Sequence, residues 1–377
     1  MKKIRILYTI PNFDTAGSGK AMLNIAMRLD RNIFEPHIAC LNDKGIFFEK
    51  VRNSGIPVHI ISLYSPARPI GKLFLESWKL SRLIKSIDPD IVHSFNYSAD
   101  YSEALSVRMA GKKWIFTKKN MSWGGGSANA WKLRSFLANK IIIQNTDMQS
   151  FYQGSKKIRM IPRGVNTNEF YKRTPANDFI EKMSIKPGTK IILTVANLVP
   201  GKGIEVLIKA FDQLIRDKND EEIVLLIVGD KENGYGQTLI EQVKNLGLAD
   251  KIIFTGKQSN ISDFHTIADV FVLPTLHKGE GSPVALLEAM ASGTICIASN
   301  VPGIRDQLIS LPDLMFTAGE SEELKKKLSM IFDLNDTQKQ ELRMKIINIV
   351  RENYTIENEV AKHEKFYLDC LDKRVPQ

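Results

Sequence analysis

The sequence predicts an α/β protein built from two domains, each a parallel sheet with helices on both faces. Three observations support this prediction. The chain has 377 residues, whereas a single domain usually holds roughly 100 to 200. Short runs rich in β-branched residues alternate with longer amphipathic segments, a pattern typical of strand–helix–strand units. The alternation stops once, at a polar stretch with prolines and a glycine, and then begins again.

The predicted strands are continuous apolar runs, as expected for strands that helices cover on both faces. In the first half they are, in order, IRILYTI, HIACL, VHIISL, DIVHSF, KWIFTK and KIIIQN. In the second half they are IILTVAN, IVLLIVGD, IIFTG, VFVLPT and ICIAS. Ligands of such sheets bind beyond the carboxyl ends of the strands. Functional residues are therefore expected in the loops that lead from a strand to the next helix.

The boundary between the domains is predicted in the stretch IPRGVNTNEFYKRTPAND, with a hinge at residues 164–178. We therefore expect a first domain over 1–170 and a second over 171–354. The last segment, about 355–374, has the period of an amphipathic helix and is expected to pack back on the first domain. Its apolar side consists of Val360, Phe366, Tyr367, Cys370 and Leu371.

The sequence favours a cytoplasmic location. The apolar run at the amino terminus stops at Pro11 without a cleavage pattern, so we expect no secretion signal. No apolar run approaches the roughly 18 residues that a membrane-spanning helix needs. Cys40, Cys296 and Cys370 are odd in number and far apart, which gives neither a disulfide framework nor a zinc pattern. These features are typical of a reducing compartment.

The net charge of +10 is distributed unevenly. Residues 1–170 contain 26 Lys and Arg against 12 Asp and Glu, whereas the remainder is acidic. Three basic segments contain or adjoin aromatic residues: Arg68–Lys85, Arg108–Lys119 and Lys132–Lys140. The aromatic residues are Phe74, Trp78, Trp114, Trp123 and Trp131. This combination favours a peripheral anionic membrane surface as a partner, such as the inner face of the plasma membrane, with solvated surface lysines as the alternative. No nucleic-acid-binding motif is found, so we expect no nucleic acid partner.

The strongest chemical signal lies in residues 269–305, where a predicted strand is followed by the loop and helix EGSPVALLE. Ser282 before Pro283 predicts a helix over 283–292, with the serine as its N-cap and the proline in its first turn. Free N–H groups at a helix start favour a phosphate. The amides assigned to that phosphate are those of Ser282, Val284 and Ala285.

Two glutamates accompany this helix start. Glu288 lies in the helix, where it can accept hydrogen bonds from two ribose hydroxyls, and Glu280 stays in the loop, where it can bind a sugar. The alternative is an acidic residue that stabilises a helix amino terminus. That explanation accounts for one glutamate but poorly for both together with this loop. The pattern therefore predicts a nucleotide-sugar site.

The E-x7-E pattern in EGSPVALLE, followed by AMASG, resembles the donor-binding signature of retaining glycosyltransferases of the GT-B fold, family GT4. The resemblance covers nearly the whole chain. IPRGVN is similar to the hinge of that family, VANLVPGKG to its lysine loop, LLIVGD to a strand end, and IIFTGK to the strand and loop beside the base. It implies two Rossmann-like domains facing across a cleft, a nucleotide-diphosphate sugar as the donor substrate, and no cofactor.

The resemblance also implies roles for single residues. Lys202 would bind the donor diphosphate, Glu288 the ribose, and Glu280 the hydroxyls of the sugar. Gly229 and Lys257 would border the nucleotide. Lys202 also has an independent physical rationale, because breaking the sugar–phosphate bond leaves a diphosphate with growing negative charge. A surface lysine in a glycine-flanked turn is the alternative for that residue.

The loop after the first strand reads DTAGSGK and opens a predicted helix. Members of the resembled family have glycine here close to the donor phosphate and sugar, so Gly17, Ser18 and Gly19 are assigned to donor binding. A phosphate-binding P-loop would need glycine at 14 and serine or threonine at 21, where Asp14 and Ala21 stand. Kinase or ATPase activity is therefore not expected.

Two positions depart from the family pattern and complete the catalytic set with Glu280 and Lys202. Asn197 stands where the family often has arginine, and a neutral donor contributes less to binding a diphosphate than a charged one. Arg163, at the hinge, is the candidate to replace that charge, with simple solvent exposure as the alternative. Lys119 stands where the family commonly has histidine, and it could bind an anionic acceptor or the donor phosphate. The resemblance implies that the leaving phosphate oxygen takes the proton of the acceptor.

Two further motifs are weaker. His93 ends the strand DIVHSF and is a minor candidate, because a hydrogen-bonded core histidine fits at least as well. Asp88 and Asp90 offer the paired carboxylates that hold a metal in other glycosyltransferases. They precede a strand, which places them at the opposite edge of the sheet from the ligand. We therefore predict no metal site.

The sequence thus predicts a retaining, metal-independent glycosyltransferase that moves a sugar to an acceptor glycan or lipid-linked saccharide, as in the assembly of bacterial surface polysaccharide or glycolipid. Two alternatives stay open, since fold does not fix chemistry. One is a nucleotide-sugar epimerase or hydrolase of the same architecture. The other is a non-catalytic nucleotide-sugar-binding membrane scaffold.

Overall fold

A computed structural model of the protein describes residues 2–13, 16–45, 47–65, 69–123, 128–174, 179, 183, 185–218 and 222–372. The chain divides into two compact units. Met1–Pro162 and Ile356–Gln377 form the first, and Arg163–Thr355 form the second. Each unit contains one parallel sheet, so the predicted α/β class with two sheets is confirmed.

The division between the units falls before residue 163 and not after residue 170. The segment 163–170 belongs to the second unit because its backbone pairs with the end of that unit. Val165 forms a bridge with Thr355, and its N–H donates to the carbonyl oxygen of Tyr354 at 2.8 Å. Within the predicted hinge, residues 175–178 lie outside the described part of the chain.

The sheet of the first unit has seven strands in the order β3-β2-β1-β4-β5-β6-β7, and all paired neighbours are parallel. The strands are β1 Ile4–Thr9, β2 Phe34–Cys40, β3 Val58–Ile60, β4 Ile91–Ser94, β5 Lys113–Lys118, β6 Lys140–Ile143 and β7 Ile158–Met160. The first six match the predicted runs. β7 was not predicted, because its three residues are too few and too exposed to form an apolar run.

Helices cover both faces of this sheet. They include α1 Ala16–Arg28, α2 Phe48–Arg52, α3 Ile70–Ile87, α4 Ser102–Met109 and α5 Ala128–Leu137, and a 3-10 helix spans Asp147–Tyr152. Side chains of α1 and α2 share a core with one face of the sheet, and those of α3, α4 and α5 share a second core with the other face. Alternate residues of each central strand therefore pack in different cores, as a sheet covered on both faces requires.

The sheet of the second unit has six strands in the order β10-β9-β8-β11-β12-β13, again all parallel. The strands are β8 Lys190–Val195, β9 Ile223–Val228, β10 Ile252–Gly256, β11 Val270–Leu273, β12 Ile295–Ser299 and β13 Met315–Phe316. Its helices include α6 Ile204–Lys218, α7 Gly234–Asn245, α8 Ile261–Ile267, α9 Val284–Ala291, α10 Ile304–Gln307, α11 Ser321–Asp333 and α12 Asp336–Asn353, and 3-10 helices span Pro200–Lys202 and Pro312–Leu314. Only β13, with two residues, was absent from the predicted strands.

The last helix, α13 Ile356–Cys370, lies in the first unit and packs beside α1. Tyr367 is fully buried there, and its hydroxyl lies 3.0 Å from the hydroxyl of Tyr8 in β1. The helix was expected to run to residue 374; residues 373 and 374 lie outside the described part of the chain. In the part that the structure describes, no helix is long and apolar enough to cross a membrane.

Two of the five aromatic residues assigned to a surface lie instead in the core of the first unit. Trp114 and Trp131 are buried, and the guanidinium of buried Arg134 lies 4.8 Å from the ring centroid of Trp114. The prediction that these two tryptophans face a membrane is therefore wrong. The guanidinium of Arg134 lies inside the core with them, because a guanidinium can stack on an indole ring where water is excluded. Phe74 and Trp78 of α3, by contrast, are exposed.

Candidate functional site

The residues assigned to the second domain lie at one edge of its sheet. All strands of this sheet run parallel, so their carboxyl ends share that edge. Asn197 and Lys202 follow β8, Gly229 follows β9, Lys257 follows β10, and residues 280–288 follow β11. The fold therefore places all of these residues in the kind of loop that binds ligands in parallel sheets.

Lys202 and Glu280, which the sequence assigned to different parts of a donor, are in direct contact. The ammonium of Lys202 forms an ion pair with Oε1 of Glu280. The same oxygen accepts a hydrogen bond of 2.8 Å from Oγ1 of Thr275. Both charged side chains are only partly exposed, at 25% and 17%. A cation and a carboxylate are thus held side by side in a partly water-excluded position, and Thr275 is a contact that the sequence did not reveal.

Glycine conformation explains how the Lys202 loop approaches the loop after β11. The turn Pro200–Lys202 ends at Gly203, whose φ is +64°, and a Cβ at Gly203 would overlap the carbonyl oxygen of Pro274. The N–H of Leu276 donates to the carbonyl oxygen of Gly201 at 3.0 Å. Only glycine combines this φ with so close a backbone approach.

The loop that carries Glu280 also packs against the loop after β12. The N–H of Glu280 donates to the carbonyl oxygen of Pro302 at 2.9 Å. Gly303 has a φ of +82°, and a Cβ there would lie 2.5 Å from the carbonyl oxygen of Glu280 and 2.7 Å from that of Gly281. The loop that carries Glu280 is therefore held between the loops that follow β8 and β12.

The start of α9 differs from the prediction by one residue, and the role given to Ser282 changes with it. The helix begins at Val284 with Pro283 in the N-cap position, and no described side chain forms a capping hydrogen bond. Oγ of Ser282 instead accepts hydrogen bonds from the backbone N–H of Arg163 at 3.3 Å and from Nε2 of Gln307 at 3.1 Å. The serine was predicted to be the N-cap; these two contacts from distant segments hold its side chain away from the helix.

The exposed side of the α9 start carries the remaining predicted residues. Val284, Ala285 and Glu288 are partly exposed. The other residues of this eight-residue helix are buried: Leu286, Leu287, Ala289, Met290 and Ala291. Glu288 is thus the one ionisable side chain in an otherwise apolar helix. The uncapped first turn presents backbone N–H groups and the positive end of the helix dipole, which together attract an anion.

The loops after β9 and β10 form a second charged pair at the same edge. The N–H of Gly229 donates to the carbonyl oxygen of Gly256 at 3.2 Å, and a Cβ at Gly229 would overlap the carbonyl oxygen of Ala196. The ammonium of Lys257 lies 2.8 Å from Oδ2 of Asp230, and this hydrogen bond lowers the pKa of that carboxyl. Asp230 is a neighbour of Lys257 that the sequence analysis did not assign.

Asn197, which stands where the family often has arginine, and Arg163, the candidate to replace that charge, have different environments. Asn197 is exposed. Arg163 is 8% exposed, so its alternative interpretation as a solvent-exposed residue is wrong. Through its backbone, Arg163 contacts Ser282 directly before the α9 start. The hinge residue and the predicted phosphate site therefore belong to one structural cluster within the second unit.

In the first unit the structure brings Lys119 to the beginning of α1. Its ammonium donates to Oγ of Ser18 at 2.9 Å and to the carbonyl oxygen of Phe95, and it lies 5.5 Å from the ring centroid of Tyr97. Gly17, Ser18 and Gly19 form the beginning of α1, as predicted. A Cβ at Gly19 would lie 2.9 Å from the ring of buried Phe13, so a larger side chain would require that ring to move. Asp14, which stands where a P-loop would have glycine, lies outside the described residues.

His93 is a core residue of the first unit. It is fully buried; its Nδ1 lies 2.7 Å from the hydroxyl of Tyr367 and its Nε2 lies 2.8 Å from Oγ1 of Thr117. Burial, with the nearby charges of His363 and Lys119, holds its pKa well below the ordinary value. Both ring nitrogens are occupied by core partners, so the structure supports the hydrogen-bonded core interpretation.

The paired aspartates before β4 have structural contacts. Asp88 lies 2.5 Å from Lys112 and 3.2 Å from Lys2, and these hydrogen bonds lower its pKa to about 2. Oδ2 of Asp90 accepts the backbone N–H of Arg5 at 2.8 Å. Across the described ranges of the chain, no group of three or more His, Cys, Asp or Glu side chains is arranged to hold a metal ion.

Comparisons with known proteins agree with this arrangement. A family model described as "Glycosyl transferases group 1" matches residues 176–353, and one described as "Glycosyltransferase Family 4" matches residues 15–169. A glycosyltransferase from Rickettsia africae superimposes with a TM-score of 0.87, at 20% identity, over 99% of this chain and 100% of its own. The Anabaena protein HepE, solved with UDP and glucose, superimposes with a TM-score of 0.82, at 18% identity, over 97% and 99%. These likenesses establish the fold.

Two curated relatives are similar in sequence over part of the chain. The alpha-monoglucosyldiacylglycerol synthase of Streptococcus pneumoniae is 29% identical over 234 residues, which are 60% of this chain and 50% of that protein. The UDP-Gal:alpha-D-GlcNAc-diphosphoundecaprenol alpha-1,3-galactosyltransferase of Escherichia coli is 28% identical over 244 residues, 59% and 61%. The matched stretch thus spans only half to three fifths of those relatives.

The two sheets, the loops at their carboxyl edges and these matches together define a glycosyltransferase of the GT-B fold. Within that class, the chain belongs to the group 1 glycosyltransferases of family GT4, whose two family models match its two halves.

Proposed function

We propose that the protein transfers a sugar from a nucleotide-diphosphate sugar to an acceptor hydroxyl, with retention of the anomeric configuration and without a metal ion. One observation carries this proposal: the ion pair between Lys202 and Glu280 lies in loops at the sheet edge where α9 begins. A cation suits a diphosphate, a carboxylate suits sugar hydroxyls, and helix-start amides suit phosphate oxygens. The second unit thus offers one group for each part of the donor.

In the proposed reaction the second unit stabilises the leaving group. The ammonium of Lys202 would compensate the negative charge that grows on the diphosphate as the bond to the sugar breaks. The N–H groups of Val284 and Ala285 would bind its phosphate oxygens, and exposed Asn197 would add a neutral hydrogen bond in place of the arginine of related enzymes. Glu288 would accept the ribose hydroxyls, with Gly229 and Lys257 beside the nucleotide.

The acceptor side belongs to the first unit in this proposal. Lys119, held by Ser18 and the carbonyl oxygen of Phe95, supplies a positive charge at the carboxyl end of β5. This charge suits an anionic group on the acceptor. Because an ammonium group has no lone pair with which to accept a proton, we assign the proton of the acceptor hydroxyl to the leaving phosphate oxygen on the same face of the sugar.

The acceptor is proposed to be a lipid-linked saccharide or glycolipid, used in the assembly of bacterial surface polysaccharide at the cytoplasmic face of the plasma membrane. Two observations support this choice. The first half of the chain is strongly basic, with 26 Lys and Arg against 12 Asp and Glu in residues 1–170. The names of the two relatives above refer to a diacylglycerol glycolipid and to a diphosphoundecaprenol-linked sugar.

The first test is calorimetry of the purified protein with UDP, GDP, ADP, TDP and their common sugar conjugates, all in EDTA. We expect one nucleotide to bind selectively, and the binding to be lost in Lys202→Met but kept in Lys244→Met, which removes an exposed lysine from α7. The anomeric proton coupling of the product by NMR then tests retention. Absence of binding to every nucleotide would refute the proposal, and binding with only epimerised or hydrolysed sugar would favour the alternative enzymes.

A further inference from the structure

The solvent-exposed side of α3 carries several large apolar residues. Ile70, Phe74, Leu75, Trp78 and Leu83 are all between 48% and 66% exposed. The buried side holds two serines, Ser77 and Ser81, among the apolar residues Leu73, Leu80 and Ile84. A helix whose only task is to cover a sheet places its large apolar residues inward and its serines outward. In α3 two aromatic residues point to solvent while two serines occupy the core side.

Basic residues share that exposed side. Lys72, Lys79, Arg82 and Lys85 are exposed, and the single acidic residue of α3, Glu76, forms an ion pair with Lys79 at 2.9 Å. The guanidinium of Arg82 lies 5.1 Å from the ring centroid of Trp78. Phe74, Trp78 and Arg82 are spaced four residues apart, so they form one stripe along the helix. The stripe combines indole and phenyl rings with positive charge.

The neighbouring helices extend the same kind of surface. α3 packs beside α4, and α4 beside α5, on one face of the first sheet. Met109 of α4 and Leu133 and Phe136 of α5 are exposed, with Phe136 the most exposed large apolar residue of those described, at 76%. Exposed apolar residues in a contiguous helical layer indicate an interaction surface more strongly than scattered ones do.

We propose that α3 docks the protein on a bilayer of anionic phospholipids, with Phe74 and Trp78 in the headgroup region and Lys72, Arg82 and Lys85 on the lipid phosphates. Charge complementarity selects this occupant, because α3 carries four basic residues and one acidic residue. Tryptophan beside basic residues is typical of helices that lie in the membrane interface. This inference rests on the proposed function for its purpose, which is to bring the first unit to a lipid-linked acceptor.

Vesicle co-sedimentation of the full-length protein tests the inference. We expect binding to vesicles of phosphatidylcholine with phosphatidylglycerol at low salt, weaker binding to phosphatidylcholine alone, and release at high salt. Lys72→Gln/Lys85→Gln should weaken binding by roughly 30-fold, since each basic residue contributes about 1 kcal/mol near an anionic surface. The matched control Lys44→Gln/Lys50→Gln removes two exposed charges of the first unit outside α3 and should bind like the wild type.

A spectroscopic readout separates insertion from simple charge attraction. The Trp78 indole should enter the headgroup region, so vesicles should shift tryptophan emission to shorter wavelength in the wild type. Trp78→Phe keeps an aromatic residue and should bind vesicles while losing most of that shift, because Trp114 and Trp131 are already buried and partly buried Trp123 is stacked on Trp131 and Phe151. Equal binding by Lys72→Gln/Lys85→Gln and its control, or no shift in the wild type, would overturn the inference.

Two further outcomes are informative. A concentration-dependent dimer in analytical ultracentrifugation that Trp78→Ser abolishes would also overturn the inference, since α3 would then bind a second copy of the chain. Nucleotide calorimetry on the same preparations keeps the two proposals apart. Donor binding without vesicle binding refutes the membrane surface alone, and vesicle binding without any nucleotide binding refutes the proposed function.

Discussion

Replacing Gly303 by alanine should displace Glu280, although Gly303 itself is not among the residues assigned to donor binding. Gly303 has a φ of +82°, and its added Cβ would lie 2.5 Å from the carbonyl oxygen of Glu280. Carbon and carbonyl oxygen atoms pack no closer than about 3.3 Å, so one loop must move by about 0.8 Å. The hydrogen bond between Thr275 and Glu280 is 2.8 Å long, and a displacement of that size would break it.

The expected cost has two separable parts. An unfavourable φ in a non-glycine residue costs about 1 to 3 kcal/mol, and the forced displacement costs a further 1 to 3 kcal/mol. Gly247→Ala is the matched control, because Gly247 has a φ of +71° with nothing within 4 Å of an added Cβ. The control therefore carries the first cost alone. At about 2 to 4 °C per kcal/mol for a domain of this size, Gly303→Ala should unfold several degrees below Gly247→Ala.

The assay is nucleotide-sugar calorimetry and turnover alongside thermal unfolding of both variants. Misplacing a reacting group by about 1 Å can reduce turnover roughly 100-fold, so Gly303→Ala should lose most of its activity while Gly247→Ala keeps it. Equal unfolding temperatures for the two variants, or turnover by Gly303→Ala at the wild-type rate, would show that the added Cβ does not displace Glu280.

Three further predictions concern single side chains. Glu288→Gln should weaken donor binding by about 2 to 4 kcal/mol, roughly 30- to 1000-fold, with Glu241→Gln on α7 as an exposed control; unchanged calorimetric affinity would remove Glu288 from the site. Ser282→Ala and Gln307→Met should each lower donor affinity, and the double variant should lose no more than Ser282→Ala, because Nε2 of Gln307 acts through Oγ of Ser282; additive losses would show that Gln307 acts independently. Burial lowers the pKa of Lys118 from 10.5 to about 8, so between these values the unfolded chain binds a proton that the folded chain has released, and stability from this residue rises with pH. Denaturant unfolding at pH 8 and 10 should show the wild type gaining stability relative to Lys118→Met, and a constant difference would contradict the lowered pKa.

The fold and the position of the site were accessible from the sequence because both depend on local patterns. Continuous apolar runs marked the strands, and parallel strands place their following loops at one edge. Lys202 and Glu280 were therefore expected in loops at the same edge, whereas their direct ion pair was not predicted. β7 and β13 were not predicted, because runs of three and two residues are too short to show the apolar pattern of a strand.

The errors came from contacts between distant segments. Ser282 before Pro283 has the local pattern of an N-cap, but its partners lie 119 and 25 residues away at Arg163 and Gln307. Trp114 has the sequence neighbours of a surface residue, with two lysines directly before it. Its burial depends on packing against Arg134 of another element, which no local pattern records.

The ion pair between Lys202 and Glu280 has a consequence for selectivity. In the described structure the cation already has an anionic partner, so that carboxylate acts as an internal competitor for any incoming anion. A stray inorganic phosphate would have to displace it and leave Glu280 without its counter-ion, and a free sugar would meet a carboxylate already engaged. Under the proposed function, a donor that presents diphosphate and hydroxyls together would replace both partners in one exchange. The ion pair would then select against ligands that carry only a phosphate or only a sugar.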